Sequence, residues 1–261
     1  MKANEFITKL RSQGRYSFSI QEINGALGLN MAATLNALRR LKMHKLVVSP
    51  AKGFYLILLP EYQAYGCLPA DMFIPDLMKH LELPYYVGFL SAAQFYGAAH
   101  QKPQRFQVVT LKNKMPIHCG RIYVEFIANK KVATMPITKF NTFAGSIAVA
   151  APEVLAADLV TSPRHAAGIN NVATILTELI ESIDAKKLIE LMKLNPELFW
   201  AQRIGYLLES LGFDELASGL AKALSDKQLH WARLVSHAPY NSLKRNNKWK
   251  IIVNTKVEAD E

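Results

Sequence analysis

The chain has 261 residues, of which half are hydrophobic, and its formal net charge is +10. This composition excludes a disordered tail and accommodates two or three domains with sizeable cores, while the basic balance favours an anionic partner, either a nucleic acid or an acidic protein. No segment has the pattern of a signal peptide, and Pro152, Glu153 and Asp158 interrupt the most apolar stretch, so we expect a cytoplasmic protein without a membrane span.

Residues 16–59 predict a winged helix-turn-helix, whose second helix can enter the major groove of DNA. Ser19 and Glu22 have the spacing of a capping box, which indicates the start of the first helix. Gly28 provides the positive φ that a tight interhelical turn needs, and Asn30 is the N-cap candidate of the second helix.

The remaining elements of this motif are an earlier helix and two wing strands. The helix is expected at Asn4–Ser12 and the strands at Leu46–Ser49 and Phe54–Leu59, with Pro50, Lys52 and Gly53 at the wing tip. Residues 1–60 hold nine Lys and Arg residues against two acidic ones, which accounts for +7 of the net charge. This local concentration favours DNA binding over a solvated helix end, although winged helices also serve as protein-docking modules.

The second helix of the motif is predicted to have a buried stripe and a small, polar face. The stripe consists of apolar residues at helical spacing, namely Met31, Leu35, Leu38 and Leu41. The other face carries small and hydrogen-bonding residues, which suit the groove floor, base edges and phosphates. The candidate DNA-binding residues are Asn30, Ala33, Thr34, Asn36, Arg39, Arg40 and Lys42, with Lys52 at the wing.

The rest of the chain predicts an α+β protein with a mixed α/β middle domain at 61–150 and a mainly helical region at 151–261. In the middle domain, two helices divided at Pro84 precede strands at Phe106–Leu111, Ile122–Ile127 and Ser146–Ala151. The second of these helices is expected at Tyr85–Ala99. Five helices then follow, at Pro152–Leu159, Val172–Ile183, Lys186–Leu194, Leu198–Leu211 and Phe213–Leu224, and an extended segment at Trp249–Val253 closes the series.

The middle domain carries a second basic surface, which could extend a DNA footprint beyond the wing. Lysines at strand ends serve equally often for solubility and edge protection, so that alternative stays open. The candidate secondary contacts are Lys102, Arg105, Lys112, Lys114, Arg121, Lys130 and Lys131.

Catalytic and metal-binding signatures are missing from the sequence, so we expect no enzyme activity, no cofactor and no metal. A nuclease using Glu125 and Asp158 is the remaining enzymatic alternative, and their spacing does not suit a metal site. His230 and His237 make a weak metal pair, since no carboxylate or cysteine lies between them. The two cysteines, Cys67 and Cys119, are predicted to be buried free thiols.

Taken in order, these segments resemble the AbiE-type antitoxin (AbiEi) family of bacterial transcriptional regulators. Besides the N-terminal motif, four segments carry the resemblance: YYVGFLSAAQFYGAAHQKPQRFQVVT at 85–110, APEVLAADLV at 151–160, RIGYLLESLG at 203–212 and WKIIVNTKVEAD at 249–260. The resemblance covers nearly the whole chain, and the order and spacing of the segments are more specific than any one of them.

This resemblance implies a transcriptional autorepressor that binds inverted repeats in its own promoter, as a monomer on each half-site or as a dimer. It also implies an antitoxin of a type IV toxin–antitoxin system in phage defence. Such an antitoxin counters a nucleotidyltransferase-like toxin encoded next to it, without a stable complex. The alternative is a winged-helix transcription factor with a ligand-sensing or dimerising C-terminal region and no toxin. A nucleotidyltransferase-type gene immediately downstream would favour the antitoxin.

Overall fold

The computed structural model describes residues 1–99, 103–238 and 244–258, and it has a mixed α+β architecture. The chain divides into two compact units. The first comprises Met1–Tyr86, Gln104–Ala133 and Lys139–Ala148, and the second comprises Val87–Pro103, Thr134–Thr138 and Val149–Glu261. Within the described residues, no helix is both long enough and apolar enough to cross a lipid bilayer.

The first unit begins with three helices and three short strands. In chain order these are α1 Ala3–Ser12, β1 Ser17–Ser19, α2 Ile20–Leu27, α3 Met31–Met43, β2 Val47–Ala51 and β3 Phe54–Ile57. The strands form an antiparallel sheet in the order β1-β3-β2, with Phe18 opposite Tyr55 and Val48 opposite Leu56. The helices and the two wing strands agree with the predicted elements to within a few residues, whereas strand β1 was not predicted.

Capping determines where α2 and α3 begin. The Ser19 hydroxyl accepts a hydrogen bond from the Glu22 backbone N–H, and the Glu22 carboxylate accepts one from the Ser19 N–H, as the predicted capping box requires. Gly28 ends α2 in the left-handed conformation with a φ of 61°. The Asn30 side-chain oxygen then accepts from the Ala33 N–H at 2.9 Å, so the predicted N-cap of α3 is confirmed.

A single apolar cluster holds these elements together. Phe6 and Leu10 of α1 pack with Ile23 of α2, Leu41 of α3 and Phe18 of β1, and all five side chains are buried. The Phe6 and Phe18 rings meet edge to face at 5.3 Å between centroids. The helix expected at Asn4–Ser12 is therefore present, as α1, and belongs to this core.

A second sheet has six strands in the order β6-β7-β5-β4-β9-β8. The strands are β4 Tyr85–Val87, β5 Phe106–Thr110, β6 Ile117–Cys119, β7 Ile122–Ala128, β8 Ile137–Thr142 and β9 Gly145–Ala150. In sequence, helix α4 Ala70–His80 precedes this sheet, and helix α5 Phe89–Phe95 lies between its strands β4 and β5. Strands β5 and β7 run parallel, with Phe106 opposite Val124 and Thr110 opposite Ala128.

The helix expected at Tyr85–Ala99 is wrong at both ends: its first three residues form strand β4, and the helix observed in this range ends at Phe95. Tyr86 and Val87 are fully buried, and Val87 pairs in parallel with Val149 of β9. Aromatic and β-branched side chains favour such a buried strand. Gly88 then precedes the short helix α5, which contains the helical part of the prediction.

The second unit is mainly helical, as the sequence predicts. Its helices are α6 Pro152–Thr161, α7 Ile169–Leu179, α8 Ala185–Leu194, α9 Phe199–Ser210 and α10 Asp214–Leu224. Three very short strands follow, β10 Ala232–Arg233, β11 Lys244–Asn246 and β12 Ile251–Val253, and they form a sheet in the order β10-β12-β11. The sequence predicted only the last of these strands.

Candidate functional site

Helix α3 has a different buried face from the one predicted. Leu38 and Leu41 are buried as expected, but Met31 and Leu35 are each 48% exposed. The buried stripe instead consists of Thr34, Ala37, Leu38 and Leu41. Both stripes have helical spacing, and the predicted stripe is the more apolar of the two. The predicted stripe of Met31, Leu35, Leu38 and Leu41 is therefore wrong in its first two members.

Thr34 was predicted on the exposed face of α3, and this is also wrong. Its side chain is fully buried, and its hydroxyl donates a hydrogen bond of 2.7 Å to the Asn24 side-chain oxygen of α2. This bond satisfies a polar group inside the core and joins the two helices across the turn. Thr34 therefore positions α3 and is not available to a ligand.

The outward face of α3 is centred on Arg39. Ala32, Leu35, Asn36 and Arg39 are all exposed, and they follow one another at the three- and four-residue steps of one helix face. We call these four residues the outer face of α3. The sequence reasoning missed Ala32 and Leu35, which the alternative stripe through Thr34, Leu38 and Leu41 would have identified.

The other candidates on α3 lie at the border of this face or are already engaged. Arg40 is exposed but lines a shallow cleft with Lys2 and Asn4 at the start of α1. The Lys42 ammonium lies 5.1 Å from the centre of the Tyr55 ring, as a cation–π contact. Ala33 is half-buried, and the Asn30 side-chain oxygen caps the helix.

The predicted wing tip is a tight turn of Lys52 and Gly53 between β2 and β3, and Pro50 lies within β2. Gly53 has a φ of 74°, and its carbonyl accepts from the Ile20 N–H at 2.8 Å. A ring nitrogen of His80, at the end of α4, lies 3.2 Å from the Lys52 carbonyl. These contacts hold the backbone of the turn while the Lys52 side chain stays exposed.

The secondary basic residues do not form one surface. Lys112 and Lys130 follow the carboxyl ends of β5 and β7, and because these strands are parallel, both lie at the same edge of the sheet. Arg105 and Arg121 precede the same strands and therefore lie at the opposite edge. Lys131 follows Lys130 at the first edge, Lys114 lies in the loop between β5 and β6, and Lys102 lies outside the described residues.

The two cysteines are buried free thiols, as predicted, and they lie side by side. Their sulfurs are hydrogen-bonded, and this bond together with burial raises the pKa of the Cys67 thiol far above its ordinary range. Among residues 1–99, 103–238 and 244–258, no group of three or more His, Cys, Asp or Glu side chains could hold a metal ion.

Comparison with known proteins concerns the fold and the family of the chain. The crystal structure of the RV2827C protein from Mycobacterium tuberculosis has a similar fold, with a TM-score of 0.67 over 95% of this chain and 90% of that chain. Sequence identity is 16%, so the likeness concerns the fold alone. None of the curated proteins compared matches the chain.

A family match agrees with the resemblance found in the sequence. Residues 86–210 match the AbiEi antitoxin C-terminal domain, and this span begins within β4 and ends with α9. It contains most of the first of the four segments quoted above and all of APEVLAADLV. This match, over just under half of the chain, supports an AbiEi-type antitoxin family for the protein.

Proposed function

We propose that this antitoxin is also a DNA-binding autorepressor, which reads inverted repeats in its own promoter through a winged helix-turn-helix at its N-terminus. The element order α1-β1-α2-α3-β2-β3, with β1 to β3 in one antiparallel sheet, supports this assignment. In this motif α3 is the recognition helix and the Lys52–Gly53 turn is the wing.

The observation that carries the proposal is the composition of the outer face of α3. Ala32 has a small side chain, so the helix can approach the groove floor closely. Asn36 and Arg39 carry donors that suit adenine and guanine edges in the major groove. No carboxylate lies on α3, and the four residues are exposed. A helix face with these properties suits a major groove better than an acidic protein partner.

We further propose that the AbiEi domain counters a nucleotidyltransferase-like toxin without forming a stable complex with it. The family match supports the antitoxin role, and the identity of the toxin follows from the resemblance alone. Co-expression of the full chain with the adjacent gene tests this role, with rescue of growth as the measurement. A neighbouring gene of another class, or no rescue, would favour the transcription factor without a toxin.

The first test removes the guanidinium at the centre of the outer face. Arg39→Ala should weaken binding to a duplex carrying the inverted repeats by about tenfold to a hundredfold, because one good bidentate contact to a base contributes roughly 1–3 kcal/mol. Binding is measured by fluorescence anisotropy at physiological salt, with random duplex as competitor. A promoter–reporter fusion should show relief of repression in cells.

Two arginine variants serve as controls for this test. Arg11 is an exposed residue on α1, so Arg11→Ala removes the same charge elsewhere in the same unit and should change affinity only slightly. Arg40→Ala should have an intermediate effect, since Arg40 lies at the border of the outer face. If the wild-type protein does not prefer the promoter fragment to random duplex, the repressor proposal is wrong.

The second test concerns Leu35, whose exposed side chain lies at one edge of the outer face, next to Ala32 and Arg39. An apolar side chain at this position suits the C5-methyl group of thymine. Replacing thymine by uracil in the fragment removes only these methyl groups. Wild-type affinity should fall about fourfold for each contacted methyl, given ~0.8 kcal/mol for a buried CH₂ group. Leu35→Ala should bind the two fragments equally, and equal binding by the wild type would exclude this contact.

A further inference from the structure

Charge is strongly segregated within the C-terminal part of the chain. Residues 151–226 hold six Lys and Arg residues against eleven Asp and Glu residues, whereas residues 227–257 hold seven basic residues and no acidic one. The formal net charge of residues 151–261 as a whole is close to zero, because these opposite charges largely cancel. A segment with the balance of residues 227–257 attracts anionic ligands of every kind, nucleic acids and acidic peptides included.

Two of these basic residues, Arg233 and Arg245, lie on one face of the small sheet β10-β12-β11. Ala232 and Ile251 are directly opposite each other and buried, and β12 packs against helix α9. Because side chains alternate along a strand, Arg233 and Ile252 lie on the other face, and Arg245 of β11 is paired with Ile252. This outer face is therefore basic and turned away from α9.

An exposed tryptophan completes this face. Trp231, immediately before β10, is 39% exposed, whereas Trp200 and Trp249 are buried in the core. The Arg245 guanidinium carbon lies 5.4 Å from the centre of the Trp231 ring, and the Lys250 ammonium lies 5.1 Å from it. We call Trp231, Arg245 and Lys250 the tryptophan cluster. It combines an accessible π surface with two cations.

We propose that the tryptophan cluster binds single-stranded nucleic acid. An unpaired base can stack on the Trp231 ring, while Arg245 and Lys250 contact the phosphates that flank it. In a duplex the bases are already stacked on each other, so an exposed indole has no comparable partner. An acidic peptide would pair with the two cations but would not require the ring.

The experiment uses the full chain and a fluorescently labelled single-stranded oligonucleotide of about 12 nucleotides, as oligo(U) and as oligo(dT), with anisotropy as the readout. Trp231→Ala should weaken binding about tenfold, and Trp231→Phe should retain most of the affinity. The double variant Arg245→Ala, Lys250→Ala should weaken binding and reduce its dependence on salt. Trp231 is half-exposed, and equal thermal melting of Trp231→Ala and wild type verifies the fold.

Matched controls separate this site from general charge and from the proposed promoter-binding site. Lys186 and Lys187 are exposed lysines of α8 in the same unit, and their replacement by alanine should leave oligonucleotide binding unchanged. Arg11→Ala, the control variant of the first unit, should also leave it unchanged. The oligonucleotide carries no inverted repeat, so its binding tests this site separately from the promoter site.

Three results would overturn the proposal. The first is no saturable binding of either oligonucleotide by the wild type at about 0.15 M salt. The second is equal affinity of Trp231→Ala and wild type. The third is displacement of the oligonucleotide by polyglutamate as effective as by unlabelled oligonucleotide, which would identify the face as a surface for acidic peptides.

Discussion

Replacing Gly205 with alanine is expected to lower the melting temperature of the protein by about 6–12 °C. A Cβ at this position of α9 would stand 2.0 Å from Cζ3, 2.3 Å from Cη2 and 2.4 Å from Cε3 of Trp249. The Trp249 ring is buried, and its indole N–H donates to the Glu209 carboxylate. Because neither the helix backbone nor this ring can move freely, we expect a cost of roughly 3 kcal/mol from overpacking.

Gly219 provides the matched control, since it also lies inside a helix of the second unit. A Cβ there would meet no atom within 4 Å. Gly219→Ala should therefore stabilise the protein by about 0.5–1 kcal/mol through the higher helix propensity of alanine. In addition, Trp249→Leu should reduce the cost of Gly205→Ala, because the two residues are in contact. If Gly205→Ala melts at the same temperature as the wild type, the Trp249 ring moves aside without a loss of stability, and the prediction is wrong.

Gly120→Ala should be comparably destabilising in the first unit, at about 3–4 kcal/mol in chemical denaturation. The glycine follows β6 with a φ of 56°, which an alanine adopts at a cost of roughly 1–2 kcal/mol. A Cβ would also stand 2.1 Å from the Tyr65 carbonyl oxygen and 2.6 Å from the Gly66 carbonyl carbon. These are backbone atoms, and the Tyr65 oxygen already accepts a hydrogen bond from the Arg121 N–H.

The variant Gly14→Ala separates the conformational cost of a positive φ from the cost of the steric clash. The φ of Gly14 is 69°, similar to that of Gly120, but a Cβ there would meet nothing within 4 Å. Gly14→Ala should therefore cost only the conformational term of about 1–2 kcal/mol. The difference between the two variants measures the steric clash with residues 65 and 66. Equal denaturation midpoints for Gly120→Ala and Gly14→Ala would mean that this clash is relieved without cost.

Local signals determined the elements that the sequence predicted well. The start of α2 depends on Ser19 and Glu22, which lie three residues apart, and the start of α3 depends on the Asn30 side chain. Both signals act within four residues of the chain, so no tertiary information is needed to recognise them. The five helices of the second unit were likewise predicted from apolar spacing, with ends within a few residues of those observed.

The orientation of α3 could not be predicted with the same certainty. Two stripes satisfied the helical period, one through Met31 and Leu35 and the other through Thr34 and Ala37. The more apolar stripe was chosen, because burial normally follows hydrophobicity. The hydrogen bond from Thr34 to Asn24 on α2 makes the other stripe the buried one. Asn24 lies ten residues before Thr34, on another helix, so the periodicity of α3 alone does not reveal this contact.

Short strands escaped prediction for a related reason. Tyr85–Val87, Ala232–Arg233 and Lys244–Asn246 contain only two or three residues each, too few to show the alternation of a strand. Each becomes a strand only because a distant segment supplies its hydrogen bonds, as β12 does for β10 and β11. The tryptophan cluster depends on the same pairing, so its residues could not be grouped before the sheet was known.

The sequence by itself therefore determined the helix starts, the α+β class, the basic N-terminal part and the resemblance to the AbiEi family, since all of these depend on composition or on residues close in the chain. Only the tertiary structure decided which side of α3 faces outward, that Lys112 and Lys130 share one sheet edge, and that Trp231 meets Arg245 and Lys250. These properties depend on contacts between residues distant in sequence, and the free energy of such contacts exists only once the chain has folded.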